Sequence, residues 1–239
     1  MWPVSLVLPE HLYRRDGPRA NLKRRCRPHP SDDWLGRRRL AILLKRVLGA
    51  IVAIPAVYDA VQRLAGREDN YRRLRPLLAR AKGDLLLEAG AGTGEISRIL
   101  EPNTRYTWLD NDPQKLAGYR SKQKNPLAIL ASGTSIPLAS ACVHTVLTLA
   151  VTHHLTDDEL NLFIAELARV CRNQLVFLDC LEDRKSLVSK LMWRYDRGSY
   201  PRTPEYLLTR LRMHFDIDEV QRYRILHDYL LCTGRPRRQ

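Results

Sequence analysis

The sequence predicts an α/β fold: a doubly wound, mostly parallel sheet with a C-terminal antiparallel hairpin. Three observations carry this expectation. Residues 85–95, LLLEAGAGTGE, are a short apolar run ending in an acid and three glycines at alternate positions. Such a run reads as a buried parallel strand entering a tight backbone turn. From residue 69 to residue 179, strand-like and helix-like segments alternate, which is the pattern of βαβ units. Two strand-like segments after residue 214 then follow each other with almost no loop, and only an antiparallel hairpin permits that.

The chain begins differently. Residues 1–37 mix Pro, Arg and Asp without apolar periodicity and read as a disordered basic arm. The formal net charge is +14, and residues 1–46 hold 12 Lys+Arg against 4 Asp+Glu, a net of +8 that leaves +6 for the rest. The folded part is therefore only mildly basic, and Arg24-Arg25 and Arg37-Arg38-Arg39 are where RNA or an anionic membrane surface could be touched. A solvated tail is the plain alternative. Residues 38–68 read as an N-terminal helical segment that packs on or lids the main domain, residues 69–239. Within it, Leu40 to Val57 is apolar but broken by Lys45-Arg46. The uncharged part, Val47 to Val57, has only 11 residues and contains Gly49 and Pro55, too short to span a bilayer. An interfacial helix with Arg37–Arg39, Lys45 and Arg46 at lipid headgroups is the second reading; packing is favoured. Pro55 suits the first turn of a helix over Ala56 to Leu64, with Gly66 as its stop signal.

A helix over Asp69 to Ala81 leads into the apolar strand. The expected order after the glycines is helix Glu95 to Leu100, strand Tyr106 to Asp110, helix Gln114 to Lys122, strand Leu127 to Ala131 and strand Val143 to Val151. Pro113 belongs to the first turn of the second of those helices. Thr156 caps a helix over Asp157 to Val170, with Glu159 completing a capping box. A strand covers Gln174 to Asp179, a helix follows a cap at Thr203, and the hairpin uses Phe215 to Tyr223 and Ile225 to Thr233.

Glycines after a buried strand let a ligand approach the backbone closely, and a following helix N-terminus would offer it unpaired N–H groups. The spacing excludes the commonest nucleotide loops. A dinucleotide fingerprint needs Gly or Ala where Glu95 stands, and a P-loop needs a terminal Gly-Lys-Ser/Thr that is missing. What remains, Glu88-x-Gly90-x-Gly92-x-Gly94, resembles motif I of the class I S-adenosylmethionine-dependent methyltransferases; a chance glycine loop in another α/β fold is the alternative. Further matches follow. Asp110 ends a strand about 20 residues after the loop, where an adenosine-binding Rossmann-like fold puts a carboxylate on the ribose. Asp110-Asn111-Asp112-Pro113 resembles the family's strand-Asp-x-x-Pro segment, with Asp112 read as a helix cap. Residues 132–138, SGTSIPL, resemble its adenine-side loop, and Thr152-His153-His154-Leu155 its x-His-His-Leu. Two positions depart from the family pattern: Ser132 and His144 stand where Asp is common, and Ser132 can bond adenine only without charge.

The resemblance covers roughly Tyr58 to Pro236. It implies a Rossmann-like, seven-stranded sheet and S-adenosyl-L-methionine as cofactor, held by Glu88, Gly90, Gly92, Gly94, Asp110, Ser132, Gly133 and Ala150, with Glu88 on the cofactor's ammonium. It further implies methyl transfer, in the manner of small-molecule and quinone-biosynthesis enzymes, to a small-molecule or lipid-linked acceptor. An RNA or ribosome methyltransferase using the basic arm, and a catalytically silent cofactor-binding protein, are the alternatives. Methyl transfer needs a base only if the acceptor must lose a proton. His153, after the strand that ends beside the methyl group in this fold, is the candidate base; a structural role is its alternative and the favoured one for His154. Residues 193–202, WRYDRGSYPR, with three aromatics and three arginines suited to an anionic or ring-bearing acceptor, or to a lid, are the candidate acceptor loop, through Trp193, Arg194, Tyr195 and Tyr200. A surface loop is the equal alternative.

The motifs of exocyclic-amine and cytosine methyltransferases are missing, and no His/Asp/Glu cluster has metal-ligand spacing. The cysteines Cys26, Cys142, Cys171, Cys180 and Cys232 are odd in number without a C-x-x-C, which argues against a disulfide framework or zinc site and for a reducing compartment. Cys142, Cys171 and Cys180 read as buried small hydrophobes. The apolar stretch near Met1 is too short for a secretory signal and lacks a basic lead. The expected location is cytoplasmic, with peripheral membrane attachment as an open option.

Overall fold

The computed structural model describes residues 66–123, 127–181, 200–225 and 228–238. Expectations for residues 1–37, for the 38–65 part of the helical segment, and for Trp193, Arg194, Tyr195 and Asp196 fall outside them. Helix α1, Arg67–Leu78, starts at Gly66, whose φ of +86° leads into the helix. The helix over 56–64 that Gly66 is expected to stop lies outside the described residues. A 3-10 turn, Ala79–Ala81, continues α1. Strand β1, Leu85–Ala89, follows, then a 3-10 turn, Glu95–Ile99, and β2, Arg105–Asp110. Next come α2, Pro113–Arg120, β3, Leu127–Leu130, and β4, Val143–Leu149. A second short 3-10 turn, Thr152–His154, precedes α3, Asp157–Val170, and β5, Cys171–Cys180. Helix α4, Pro204–His214, runs directly into β6, Phe215–Arg224, and β7, Asp228–Pro236.

These strands form one seven-stranded sheet in the order β3-β2-β1-β4-β5-β7-β6. The pairs from β3 to β5 are parallel, and β7 is antiparallel to both β5 and β6. The chain winds outward through β1, β2 and β3, then returns to place β4 on the other side of β1. The crevice at the carboxyl ends of β1 and β4 is therefore the switch point where such sheets take ligands.

Alternation along each strand sends side chains to two faces. Leu87, Leu109, Val146, Leu175 and Phe177 face α3 and α4, and pack with Leu160, Phe163, Ile164, Leu167, Leu207 and Leu211. Leu86, Leu147, Val176 and Leu231 face α1 and pack with Leu74, Leu77 and Leu78. Helix α3 shows why these elements form. Its apolar residues recur at three- and four-residue spacing on one face, and burying each contributes about 1.5–3 kcal/mol. Thr156 and Glu159 close the expected capping box reciprocally.

Three expectations need correction. The segment after the glycines is a five-residue 3-10 turn, not a helix long enough to aim a dipole at a ligand. Strand β4 stops at Leu149, because Ala150 takes φ +53° and turns the chain away from the sheet. Of the cysteines, Cys171 and Cys232 are buried, whereas Cys142 and Cys180 are only partly so.

Candidate active site

The glycine loop sits at the carboxyl end of β1, and each glycine has its own reason. Gly90, Gly92 and Gly94 all have positive φ, at 77°, 54° and 70°, a region where side chains are strained. A Cβ on Gly90 would overlap Val151, and one on Gly94 would overlap the Tyr119 ring. Among the described residues, a Cβ on Gly92 would meet nothing within 4 Å. That open space over bare backbone is the room a close-lying cofactor requires.

Asp110, at the tip of β2, is 4% exposed. Its Oδ2 accepts the Gly92 N–H at 2.8 Å and its Oδ1 the Asp112 N–H at 3.0 Å; Lys115 Nζ lies 3.6 Å away. It thus ties the glycine loop to the start of α2. Asp112 caps α2 as expected, its side chain accepting from the N–H groups of Gln114 and Lys115. Glu88 is buried on the α1 face and accepts a hydrogen bond from the Tyr106 hydroxyl. Burial pushes its carboxyl up to about 8, with the Tyr106 bond opposing and the Asp110 charge assisting. Ser132 is exposed at the end of β3. Its hydroxyl is engaged locally with Thr134, at 2.7 Å. The adjacent Gly133 packs so closely on Phe163 that a Cβ would overlap its ring. The Ala131 N–H donates to Asp110 O at 3.1 Å, which draws this loop to the tip of β2.

Across the switch point, Ala150 redirects the chain into the turn that carries His153. Because Gly90 abuts Val151, the glycine loop and this turn are immediate neighbours. His153 is 4% exposed and Asp179, at the end of β5, 1%. His153 Nδ1 lies 2.7 Å from Asp179 Oδ1. Asp179 Oδ2 accepts from Thr152 N–H at 2.7 Å and from Thr152 Oγ1 at 2.5 Å, and Oδ1 accepts the Cys180 N–H at 2.7 Å. Burial alone would raise the Asp179 carboxyl. The hydrogen bond and charge of His153, with the bonds from Thr152, outweigh it and hold the group below the usual carboxylate range. An ionised Asp179 can only accept, so Nδ1 carries the proton and Nε2 is the basic nitrogen.

Arg202 locks this turn. Its guanidinium is buried and donates to Thr152 O at 2.5 Å, Leu155 O at 2.7 Å and Asp157 Oδ1 at 2.8 Å. The Tyr200 N–H donates to His153 O at 3.0 Å, so Tyr200 joins the site through its backbone while its ring stays 41% exposed. His154 is exposed, its ring 4.2 Å from that of His153. His144, at the other end of β4, pairs with Asp84 and Asn173, away from the site. Sequence reasoning missed Asp179 and Arg202 as site residues. Asp179 had a signal, an acid ending an apolar strand just as Glu88 and Asp110 do. Arg202, one arginine among several in its loop, had none. Among the described residues, no three His, Cys, Asp or Glu side chains gather as a metal site.

Residues 87–178 match the family described as "Methyltransferase domain". That span holds the glycine loop, Asp110 and the His153 turn, and over it the chain is similar to the class I S-adenosylmethionine-dependent methyltransferases. An uncharacterised methyltransferase of Geobacillus sp. (strain WCH70) is 25% identical over 134 residues, 54% of this chain and 63% of that protein. The chain thus matches under two thirds of that relative's length. Among solved structures, the 1,6-didemethyltoxoflavin-N1-methyltransferase of Burkholderia thailandensis, with its substrate and S-adenosylhomocysteine bound, superposes with a TM-score of 0.57. It is 18% identical, covering 83% of this chain and 89% of its own. The geranyl diphosphate C-methyltransferase of Streptomyces coelicolor A3(2) gives a TM-score of 0.58 at 11% identity, covering 71% of this chain and 78% of its own. At such identities these likenesses show the fold.

Proposed function

We propose that the protein methylates a small-molecule or lipid-linked acceptor, using S-adenosylmethionine held at the glycine loop and His153 as general base. The observation that carries the reading is the buried Asp179–His153 pair, on a turn whose Val151 abuts Gly90 of the glycine loop. When bound, S-adenosylmethionine supplies a methyl group activated on a sulfonium, displaced in line. Gly90, Gly92 and Gly94 would admit it to the backbone, Asp110 would hold its ribose, and Glu88 would face its ammonium, whose charge would favour the ionised form of a carboxyl that burial otherwise keeps protonated. His153, held by Asp179, takes the acceptor's proton at Nε2, and Asp179 stabilises the imidazolium that results. The acceptor's class is supported by the company this fold keeps: one neighbour carries a small heterocyclic substrate and another acts on geranyl diphosphate.

The test is methyl transfer from labelled cofactor into a fractionated lysate, with the label sorted among lipid, small-molecule, RNA and protein pools. Label should appear in the small-molecule or lipid pool, and Asp179→Asn should reduce it about 10²- to 10⁴-fold, the usual contribution of an oriented base, while S-adenosylhomocysteine affinity stays within about twofold. Label confined to RNA or protein contradicts the acceptor class. Undiminished transfer in Asp179→Asn contradicts the base.

A further inference from the structure

We infer that Trp108 is a positioning residue for the cofactor: its indole N–H and the Asp110 carboxylate together clamp Gly92 and hold the glycine loop in its binding shape. The inference rests on the reading of that loop as the S-adenosylmethionine site. Trp108 lies on β2 and is completely buried. Its Nε1–H donates to the Gly92 carbonyl at 2.9 Å, while the Gly92 N–H donates to Asp110 Oδ2 at 2.8 Å. Both backbone polar atoms of the central loop glycine are therefore answered from the same strand, two residues apart. The Trp108 ring stacks on Tyr119, with centroids 5.8 Å apart and planes at 9°. Tyr119 in turn fills the space that a side chain on Gly94 would need.

The local chain geometry explains why the loop needs such a clamp. A long helix after the glycines would fix the loop by its own hydrogen-bond ladder. Here the connection is five residues of 3-10 turn, and Leu100 already returns to extended backbone with ψ 150°. Short 3-10 segments have poorer hydrogen-bond geometry and hold their ends weakly. The anchoring has passed to the strand beneath. Gly92 is also the loop glycine with open space on its outer side, so nothing among the described residues presses it down from above. A loop left free would have to be ordered at the expense of binding, whereas a clamped one is pre-organised. Tryptophan suits the task, since its nitrogen only donates and its buried donor must find an acceptor. Phenylalanine keeps an aromatic ring to stack on Tyr119, at the cost of a small cavity, but leaves the Gly92 carbonyl unanswered.

The experiment is calorimetry of S-adenosylhomocysteine binding to the full chain and to Trp108→Phe, with the tryptophan indole N–H resonances followed by NMR. Affinity should fall about five- to tenfold in the variant, the effect of losing one hydrogen bond to a loop carbonyl. The Trp108 indole resonance, one of four in the chain, should shift when the wild-type protein is saturated. A packing role alone would lower the melting temperature of Trp108→Phe and leave the affinity of the folded protein unchanged, so equal affinity overturns the inference. An indole resonance unmoved by saturation overturns it too, and sequential assignment in the wild-type chain makes that measurement independent of whether the variant folds. If the wild-type protein does not bind S-adenosylhomocysteine, the cofactor reading falls and the inference with it. If it binds and Trp108→Phe binds equally well, the inference falls alone.

Discussion

Two buried carboxylates, Glu88 and Asp179, stand near the ends of parallel strands of the same sheet, and their environments give them opposite protonation behaviour. Burial raises the Glu88 carboxyl to about 8, above its ordinary 4.5. Between those values the folded state holds a proton that the unfolded state has lost, so stability falls as pH rises from about 4.5 to about 8 and the cost is complete above that. Glu88→Gln should flatten this part of the pH–melting profile and weaken cofactor binding; an unchanged slope would show that Glu88 is not the group responsible. Asp179 behaves oppositely. Its folded value is depressed, so its contribution is present above the carboxylate's unfolded value and is lost as pH falls through the folded one. Asp179→Asn should remove that acid-side dependence, which thermal unfolding across pH would reveal. Acids at strand tips were legible in the sequence wherever a motif drew attention to them. Asp179 was overlooked because no glycine loop follows it. The packing that makes it a partner for His153 comes from a residue 26 positions earlier, a separation that local pattern does not report.

The helix α2 divides the work of two neighbouring acids. Asp112 accepts from the first turn of the helix, and Asp110 from the glycine loop. Asp112→Ala should cost about 1 kcal/mol of stability as a lost cap and leave cofactor affinity nearly intact. Asp110→Ala should weaken cofactor binding by roughly 1.5–3 kcal/mol, the range for a hydrogen bond to a charged group. It should also loosen the loop. Denaturation and calorimetry on both variants give the two quantities, and the reverse pattern would exchange the roles assigned here. Most elements were legible because they are long and periodic: α3 has the predicted bounds, and every predicted strand is present to within a few residues. The failure at Glu95 was physical. Its segment has helical spacing, but only Ile96 is buried, and Asn103, at φ +72°, turns the chain into β2 before a helix has length to form. Chain length between two fixed strands overrode local pattern.

At the scale of the whole molecule, the sheet order places the glycine loop and the His153 turn on either side of one switch point, and the uneven charge places the excess cations before the sheet begins. Deleting residues 1–37 should leave a folded, cofactor-binding domain, since that arm has no apolar periodicity. Deleting through Leu64 should lower the melting temperature further, because Leu40 to Leu64 carries apolar surface expected to pack on the domain. Thermal unfolding of both truncations, with vesicle flotation of the full chain, separates packing from membrane attachment; equal stability of the two, with flotation only when Leu40 to Leu64 is present, would make that segment a membrane element. The central claim is that the loop around Gly92 is a S-adenosylmethionine site, and calorimetry tests it most directly. The wild-type chain should bind S-adenosylmethionine or its demethylated product in preference to NAD, and Gly92→Val, whose side chain would project into the open space over the loop, should abolish that binding while the protein stays folded. Undiminished binding in Gly92→Val, or a preference for NAD, would contradict the account.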